Sequence, residues 1–228
     1  MKNFKIYAMG LAMAGALSFT SCADDYLDTA PTDAVSNVTI AQNMESLYLG
    51  LNGIHRQMIS QESGYQCMGG LGGMMYIMDI EADDITWITN TWMKAAYLGW
   101  QCNTNESNGY NTVFWRLYYQ WIMNANGLLE VLENTDVAAL SGSDKALYEQ
   151  IKGEALMFRA FSHFQAVQTY ADAYKAGGGN SQPGVPYRTV ANRNEGELAR
   201  STVEETYSLI NADLAEACSM LEGKNITA

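Results

Sequence analysis

Apolar residues recur at steps of three and four along four stretches of this chain. Ile40, Met44, Leu47, Leu51, Ile54 and Met58 form the first, and Phe114, Leu117, Tyr118, Trp121, Ala125, Leu128 and Leu132 the second. Leu147, Ile151, Ala155 and Phe158 open the third, which continues through Phe161, Phe164 and Val167. Val203, Tyr207, Ile210, Leu214, Ala217 and Leu221 make the fourth. Such spacing puts each set on one face of an α-helix. Ser201 and Glu204 have the spacing of a capping box, which satisfies free amides in a first helical turn, so they mark the predicted start of the fourth helix. The polar stretch 135–144 is short enough to join antiparallel neighbours. The predicted fold class is therefore mainly α, a tetratricopeptide-like array of long amphipathic helices, although no strict repeat of about 34 residues is visible.

Two stretches break the helical pattern. Residues 61–111 hold Gly64, Gly69, Gly70, Gly72 and Gly73, then the acids Asp79, Glu81, Asp83 and Asp84, then a run of aromatics. Residues 171–200 hold Gly177, Gly178 and Gly179 and the sequence Pro183-Gly-Val-Pro186. Both read as long irregular loops with at most short helices or strands. Long insertions in a helical scaffold are where binding residues concentrate.

The N-terminus has a different logic. Lys2 and Lys5 precede an uncharged apolar run of about 14 residues, Ile6 to Phe19, which is followed by Thr20-Ser-Cys22. A positive start, a short apolar stretch and small residues at a cleavage point describe a secretory signal. A spanning helix needs roughly 20 apolar residues, so the run is too short for one. The predicted organisation is a signal over 1–21, an acidic tether over 22–35 and a helical domain over 36–228. Removing the signal takes two of the 13 basic residues and none of the 25 acidic ones, so the formal charge falls from −12 to −14. So acidic a surface repels phosphate backbones, and nucleic acid is excluded as a partner.

Cysteine adds little. With Cys22 set aside, Cys67, Cys102 and Cys218 remain, an odd number. Cys67 and Cys102 can pair in an oxidising compartment, or all three thiols stay free; both alternatives stand. No Cys or His spacing suits zinc, and neither a cofactor nor a metal is expected.

Several segments, in order, resemble one family, the SusD/RagB-like outer-membrane lipoproteins. Thr20-Ser-Cys22 resembles a lipobox, with Phe19 where leucine is usual. Cys22-Ala-Asp-Asp-Tyr-Leu-Asp28 resembles the family's mature start. Trp115-Arg-Leu-Tyr-Tyr-Gln-Trp-Ile-Met-Asn-Ala-Asn126 resembles its W-x-x-x-Y-x-x-I-x-x-A-N helix. Glu154-Ala-Leu-Met-Phe-Arg-Ala-Phe-Ser-His-Phe164 resembles its E-A-x-F-x-R-A helix, and Gly184-Val-Pro-Tyr187 follows as it does there. Arg200-Ser-Thr-Val-Glu-Glu-Thr-Tyr207, with Ile210, Asp213 and Leu214, resembles its R-x-T-V-x-E-x-Y-x-x-I-x-x-D-L segment.

The resemblance implies a SusD-like scaffold and a role. Cys22 carries the acyl chains that anchor the protein to the outer membrane, and Asp24 and Asp25 direct it to the cell surface. There it captures oligosaccharides and hands them to a SusC-like TonB-dependent transporter. The RagB-like alternative is a helical-repeat lipoprotein with a peptide or protein ligand and no glycan. Neither role is enzymatic. The resemblance covers only the family's N-terminal part, so the chain is expected to be a fragment of a longer protein or a short form.

Sugar rings need flat aromatic faces, and their hydroxyls need amides, carboxylates or guanidinium groups. Trp87, Trp92, Tyr97, Trp100 and Asn103, in the first loop, have that composition and are the predicted ligand contacts. Trp115, Tyr118 and Trp121 fall on a helix stripe and read as core. Arg159 and Glu154 read as structural hydrogen-bond partners, and His55 and His163 as satisfied or exposed histidines. The acids between Asp79 and Asp84 read as solvated residues of a turn, in preference to a calcium site or a glycosidase pair. Gly69 to Gly73 reads as a flexible turn, since it lacks the Lys-Ser/Thr of a phosphate loop.

Overall fold

The computed structural model describes residues 43–60, 69–82, 106, 109–191 and 197–223. All of them belong to one unit, Ile40–Ala228. Among the described residues there are five α-helices: α1 Met44–Ile59, α2 Gly70–Glu81, α3 Gly109–Glu133, α4 Gly142–Tyr170 and α5 Val203–Leu221. Among the described residues there is no β-strand; Pro183 and Thr202 form an isolated antiparallel bridge. None of the described helices is long and apolar enough to cross a membrane.

The mainly α fold follows from the stripes. Leu47, Leu51 and Ile54 of α1 are buried, as are Phe114, Leu117, Tyr118, Trp121, Ala125, Leu128 and Leu132 of α3. Asn43 caps α1 by accepting the Ser46 amide at 2.8 Å. Between α3 and α4 the chain makes a single 3-10 turn, Val137–Ala139, and Ser141 then caps α4 by accepting the Asp144 amide. So tight a connection sends α4 back along α3. Cross-helix pairs follow that course: Tyr118 meets Thr169, and Asn126 meets Arg159. Helix α5 runs back again along α4, with Lys152 against Glu216 at 2.7 Å and Arg159 against Asp213.

Three expectations shift. The glycine run Gly69–Gly73 is not a flexible turn but the entry to α2, whose Met74, Ile77 and Ile80 are buried at steps of three. Gly70 has φ +53°, and a Cβ there would collide with the Met58 carbonyl where α2 starts beside the end of α1. The acids Asp79 and Glu81 consequently lie on the last turns of a helix; Asp83 and Asp84 lie outside the described residues. The capping box is one residue later than predicted. Thr202 accepts the Glu205 amide at 3.1 Å, and Glu205 accepts the Thr202 amide at 2.8 Å. Finally, Leu214 on the predicted stripe of α5 is exposed, whereas Thr206 and Asp213 are buried. The inner face of α5 is turned to bring an acid, not a leucine, against α4.

The core has two clusters. One joins α1, the second half of α3, the first half of α4 and the end of α5. The other joins α2, the first half of α3, the second half of α4, the start of α5 and the loop residues Val185 and Tyr187.

Candidate functional site

The described residues between α4 and α5 form no helix or strand, so their backbone groups need partners from elsewhere. They come from side chains on α3 and α4. His163 of α4 is fully buried. Its Nε2 accepts the Arg188 amide at 3.0 Å, and its Nδ1–H donates to the Arg159 carbonyl at 2.8 Å. Asn126 of α3 donates to the Arg188 and Val190 carbonyls. Glu130 accepts the Ala191 amide at 2.6 Å, and the Tyr119 hydroxyl donates to the Pro186 carbonyl at 2.8 Å.

Behind this row sits a buried charge pair. The Arg159 guanidinium grips Asp213 with two bonds of 2.7 Å and donates a third to the Asn126 carbonyl oxygen. Tyr187 donates to the same carboxylate at 2.6 Å and stacks on His163 with centroids 3.8 Å apart. Burial, then the neighbouring Asp213 carboxylate, raises the Tyr187 phenol well above its ordinary range. Burial lowers His163 to about 4, so its ring is neutral near pH 7. Arg159 and Glu154 are thus structural partners as predicted, Glu154 bonding His55 and Gln150.

Gly184 has a packing reason to lack a side chain. A Cβ would approach the Thr206 hydroxyl to 2.5 Å and the Thr202 carbonyl to 2.9 Å. The close approach lets the Gly184 amide donate to the Ser201 carbonyl at 2.7 Å. Arg200 completes the fastening by donating to the carbonyls of Gly184, Tyr170 and Pro183.

Two clefts flank this fastened segment, both of the size that holds small ligands. The larger, about 1070 Å³, is walled by the end of α2, the start of α3, the end of α4 and Arg200. Phe114, Met78 and Pro183 supply apolar surface; Glu81, Glu106, Asn111, Gln168 and Asp172 supply donors and acceptors. Burial raises the Glu81 carboxyl above its ordinary value. This mixture can take polyol hydroxyls beside apolar faces. The predicted contacts Trp87, Trp92, Tyr97, Trp100 and Asn103 lie outside the described residues, as do Cys22, Cys67 and Cys102. Ala82 and Glu106, between which the predicted contacts fall in the sequence, both line this cleft. Cys218 is unpaired and exposed.

The smaller cleft, about 520 Å³, is lined by Trp115, Tyr119, Met123, Pro186, Arg188, Glu197 and Leu198. Trp115 is therefore not simply core. Tyr118 and Trp121 are fully buried, but Trp115 is half-buried and presents part of its ring here. Its position on α3, three residues before Tyr118 and six before Trp121, puts it at the edge of the stripe. No cluster of three or more His, Cys, Asp or Glu side chains that could hold a metal occurs among the described residues.

A family model for SusD-like proteins, described as starch-binding and associating with the outer membrane, matches residues 25–225. Solved structures share the fold. A SusD-like carbohydrate binding protein from Bacteroides vulgatus superposes with a TM-score of 0.66 at 21% identity, over 82% of this chain and 37% of that one. A SusD superfamily protein from Bacteroides thetaiotaomicron gives 0.60 at 24% identity, over 78% and 37%. The chain thus spans well under half the length of these structures. No curated protein matches it.

Proposed function

Since the chain belongs to the SusD-like family of outer-membrane starch-binding proteins, we propose that it is a cell-surface lipoprotein that captures oligosaccharides for a SusC-like TonB-dependent transporter. The family match over residues 25–225 carries this reading. A lipid on Cys22, after removal of residues 1–21, anchors the protein to the outer membrane, and the acids behind it address it to the outer face. Residues 22–35 act as the tether and 36–228 as the binding scaffold. The ligand lies against Trp87, Trp92, Tyr97 and Trp100, with Asn103 bonding its hydroxyls and the larger cleft accepting part of it. Stacking on aromatic faces and hydrogen bonding to amides account for capture, and no bond in the sugar is broken.

Titrating the full chain with maltoheptaose, xylohexaose and a mixed peptide library in a calorimeter tests the ligand class. Saturable binding of at least one glycan, weakened by Trp100→Ala, is the expected result. Binding of peptides with no response to any glycan would overturn it. Labelling cells with a palmitate analogue checks the anchor: label incorporated by the native chain is absent from Cys22→Ala.

A further inference from the structure

We propose that residues 186–191 form an acid-released strap: one proton taken up by the His163 ring frees this segment from α3 and α4 while the helices stay folded. The inference concerns the scaffold and stands apart from the glycan-capture reading.

The segment changes its mode of attachment at Val185, which is buried and makes the hinge. Up to that point backbone bonds hold it. The Gly184 amide donates to the Ser201 carbonyl and the Ser201 amide to the Val185 carbonyl, with Arg200 on the carbonyls of Pro183 and Gly184. Beyond Val185, side chains take over. Tyr119 and Glu130 of α3 reach Pro186 and Ala191, Asn126 spans Arg188 and Val190, and Tyr187 bonds Asp213 of α5. His163 of α4 takes the central amide, that of Arg188. A segment held by side chains can leave without undoing a helix, because each helix keeps its own backbone bonds.

The His163 ring has no place for a second proton while the strap is closed. A carbonyl only accepts, so Nδ1, 2.8 Å from the Arg159 carbonyl, carries the hydrogen. A backbone amide only donates, so Nε2, 3.0 Å from the Arg188 nitrogen, is bare. A proton on Nε2 would set N–H against N–H. The strap is also what covers the ring: Tyr187 stacks on one face with centroids 3.8 Å apart and planes 16° apart, and Arg188 closes the Nε2 edge. Opening therefore gives the ring both water and freedom to charge. Ionisable groups surround it on every side. Arg159 on α4 opposes a cationic ring, and Asp213 of α5 favours one but is already gripped by Arg159. Tyr187 and Arg188 arrive on the strap, Tyr119 meets the ring edge-on from α3, and burial keeps both phenols uncharged. Glu130 of α3 faces the far end of the strap. Burial outweighs the charges and holds the closed ring at about 4 against its ordinary 6.5. The open form binds the proton more tightly, so opening grows as pH falls below 6.5 and levels off below about 4. Between pH 7.5 and pH 5 the open population rises about thirtyfold. Pro186 and Arg188 line the smaller cleft, so opening removes one side of it.

Amide hydrogen exchange on the full chain, corrected for the intrinsic rate at each pH, tests the strap. At pH 7.5 the Arg188 amide is expected to be less protected than the amides of Ile151 and Ala155 in α4. Dilute guanidinium should leave it unchanged, since a local opening exposes little surface. At pH 5 its protection falls about thirtyfold. In His163→Gln, which keeps an acceptor and does not titrate, protection is nearly the same at both pH values. Nitrogen NMR of the His163 ring in the native chain is a check that needs no variant, and it should show Nδ1–H and a bare Nε2 in the closed form. Protection of Arg188 equal to that of α4, and equally sensitive to guanidinium, would mean that the segment leaves only when the whole chain unfolds, which overturns the proposal. So would an acid loss that survives in His163→Gln, or a native ring that titrates near its ordinary value with the Arg188 amide still protected.

Discussion

The two halves of α4 hold the protein together by different means. The first half, to Phe158, buries Ile151, Ala155, Leu156 and Phe158 against α1, α3 and α5, with Glu154 its one buried charge. The second half buries Ser162 and His163 beside Arg159, and its neighbours include Asp213 and an irregular loop. Helix against helix needs only shape and apolar area, because each helix satisfies its own backbone. Helix against loop needs side chains that replace the missing backbone partners. The polar half is the one beside both clefts, so the candidate binding surface rests on these hydrogen bonds as well as on the apolar packing of Ala160, Ala166 and Val167.

Breaking the polar half at its centre gives the largest expected effect. Asp213→Ala leaves the Arg159 guanidinium buried and unpaired and removes the acceptor of Tyr187. Stranding one partner of a buried pair costs about 4 kcal/mol. Chemical denaturation checks this, and the double change Arg159→Met with Asp213→Leu is expected to recover much of the loss. The apolar half gives a smaller number by a different mechanism. Leu156→Ala in α4 creates a cavity and costs about 3 kcal/mol. Its effect is the same at pH 5 and pH 7, since no ionisable group is disturbed.

Acid separates the halves further. His163 is lowered from its ordinary 6.5 to about 4 by burial, with the nearby Arg159 charge acting in the same direction and Asp213 against it. The unfolded chain therefore takes up the proton first as pH falls. The stabilising contribution is complete above pH 6.5, declines as pH drops through that value, and is gone below about 4. A shift of that size is worth about 3 kcal/mol. Stability curves at pH 7 and pH 5 should differ in the native chain and coincide more closely in His163→Gln, which keeps an acceptor for the Arg188 amide and does not titrate.

What could be read from the sequence divides along the same line. The four stripes identified α1, α3, α4 and α5, because apolar periodicity is a property of each helix alone. The glycines at the start of α2 suggest a turn, yet Gly70 is needed for the close start of a helix against Met58, a tertiary fact. Likewise Asp213 looks like an exposed helical acid until Arg159 and Tyr187 arrive from 54 and 26 residues away. Trp115 reads as core from its sequence position because its neighbours Tyr118 and Trp121 belong there. Pro186, Arg188, Glu197 and Leu198 line the cleft that borders one edge of its helix, and all of them are remote from it in the chain. Long-range polar geometry leaves no period in the chain.

The smallest effect concerns the start of α5, where the sequence offers two capping boxes one residue apart. Ser201 with Glu204 and Thr202 with Glu205 fit the same pattern, and local chemistry does not choose between them. Tertiary bonds do. The Ser201 amide and carbonyl are both engaged by the loop, with Val185 and Gly184. The Glu204 amide donates to the Asn180 carbonyl, and its carboxylate accepts from the Asn180 side chain. That leaves Thr202 and Glu205 to close the box, and the bonds from Thr202 lower the Glu205 pKa. Thr202→Ala should therefore cost about 1 kcal/mol, whereas Ser201→Ala should change stability little. Paired melts of the two variants measure this directly. Equal losses, or a larger loss from Ser201→Ala, would mean that the helix begins one residue earlier and that the loop does not set its register.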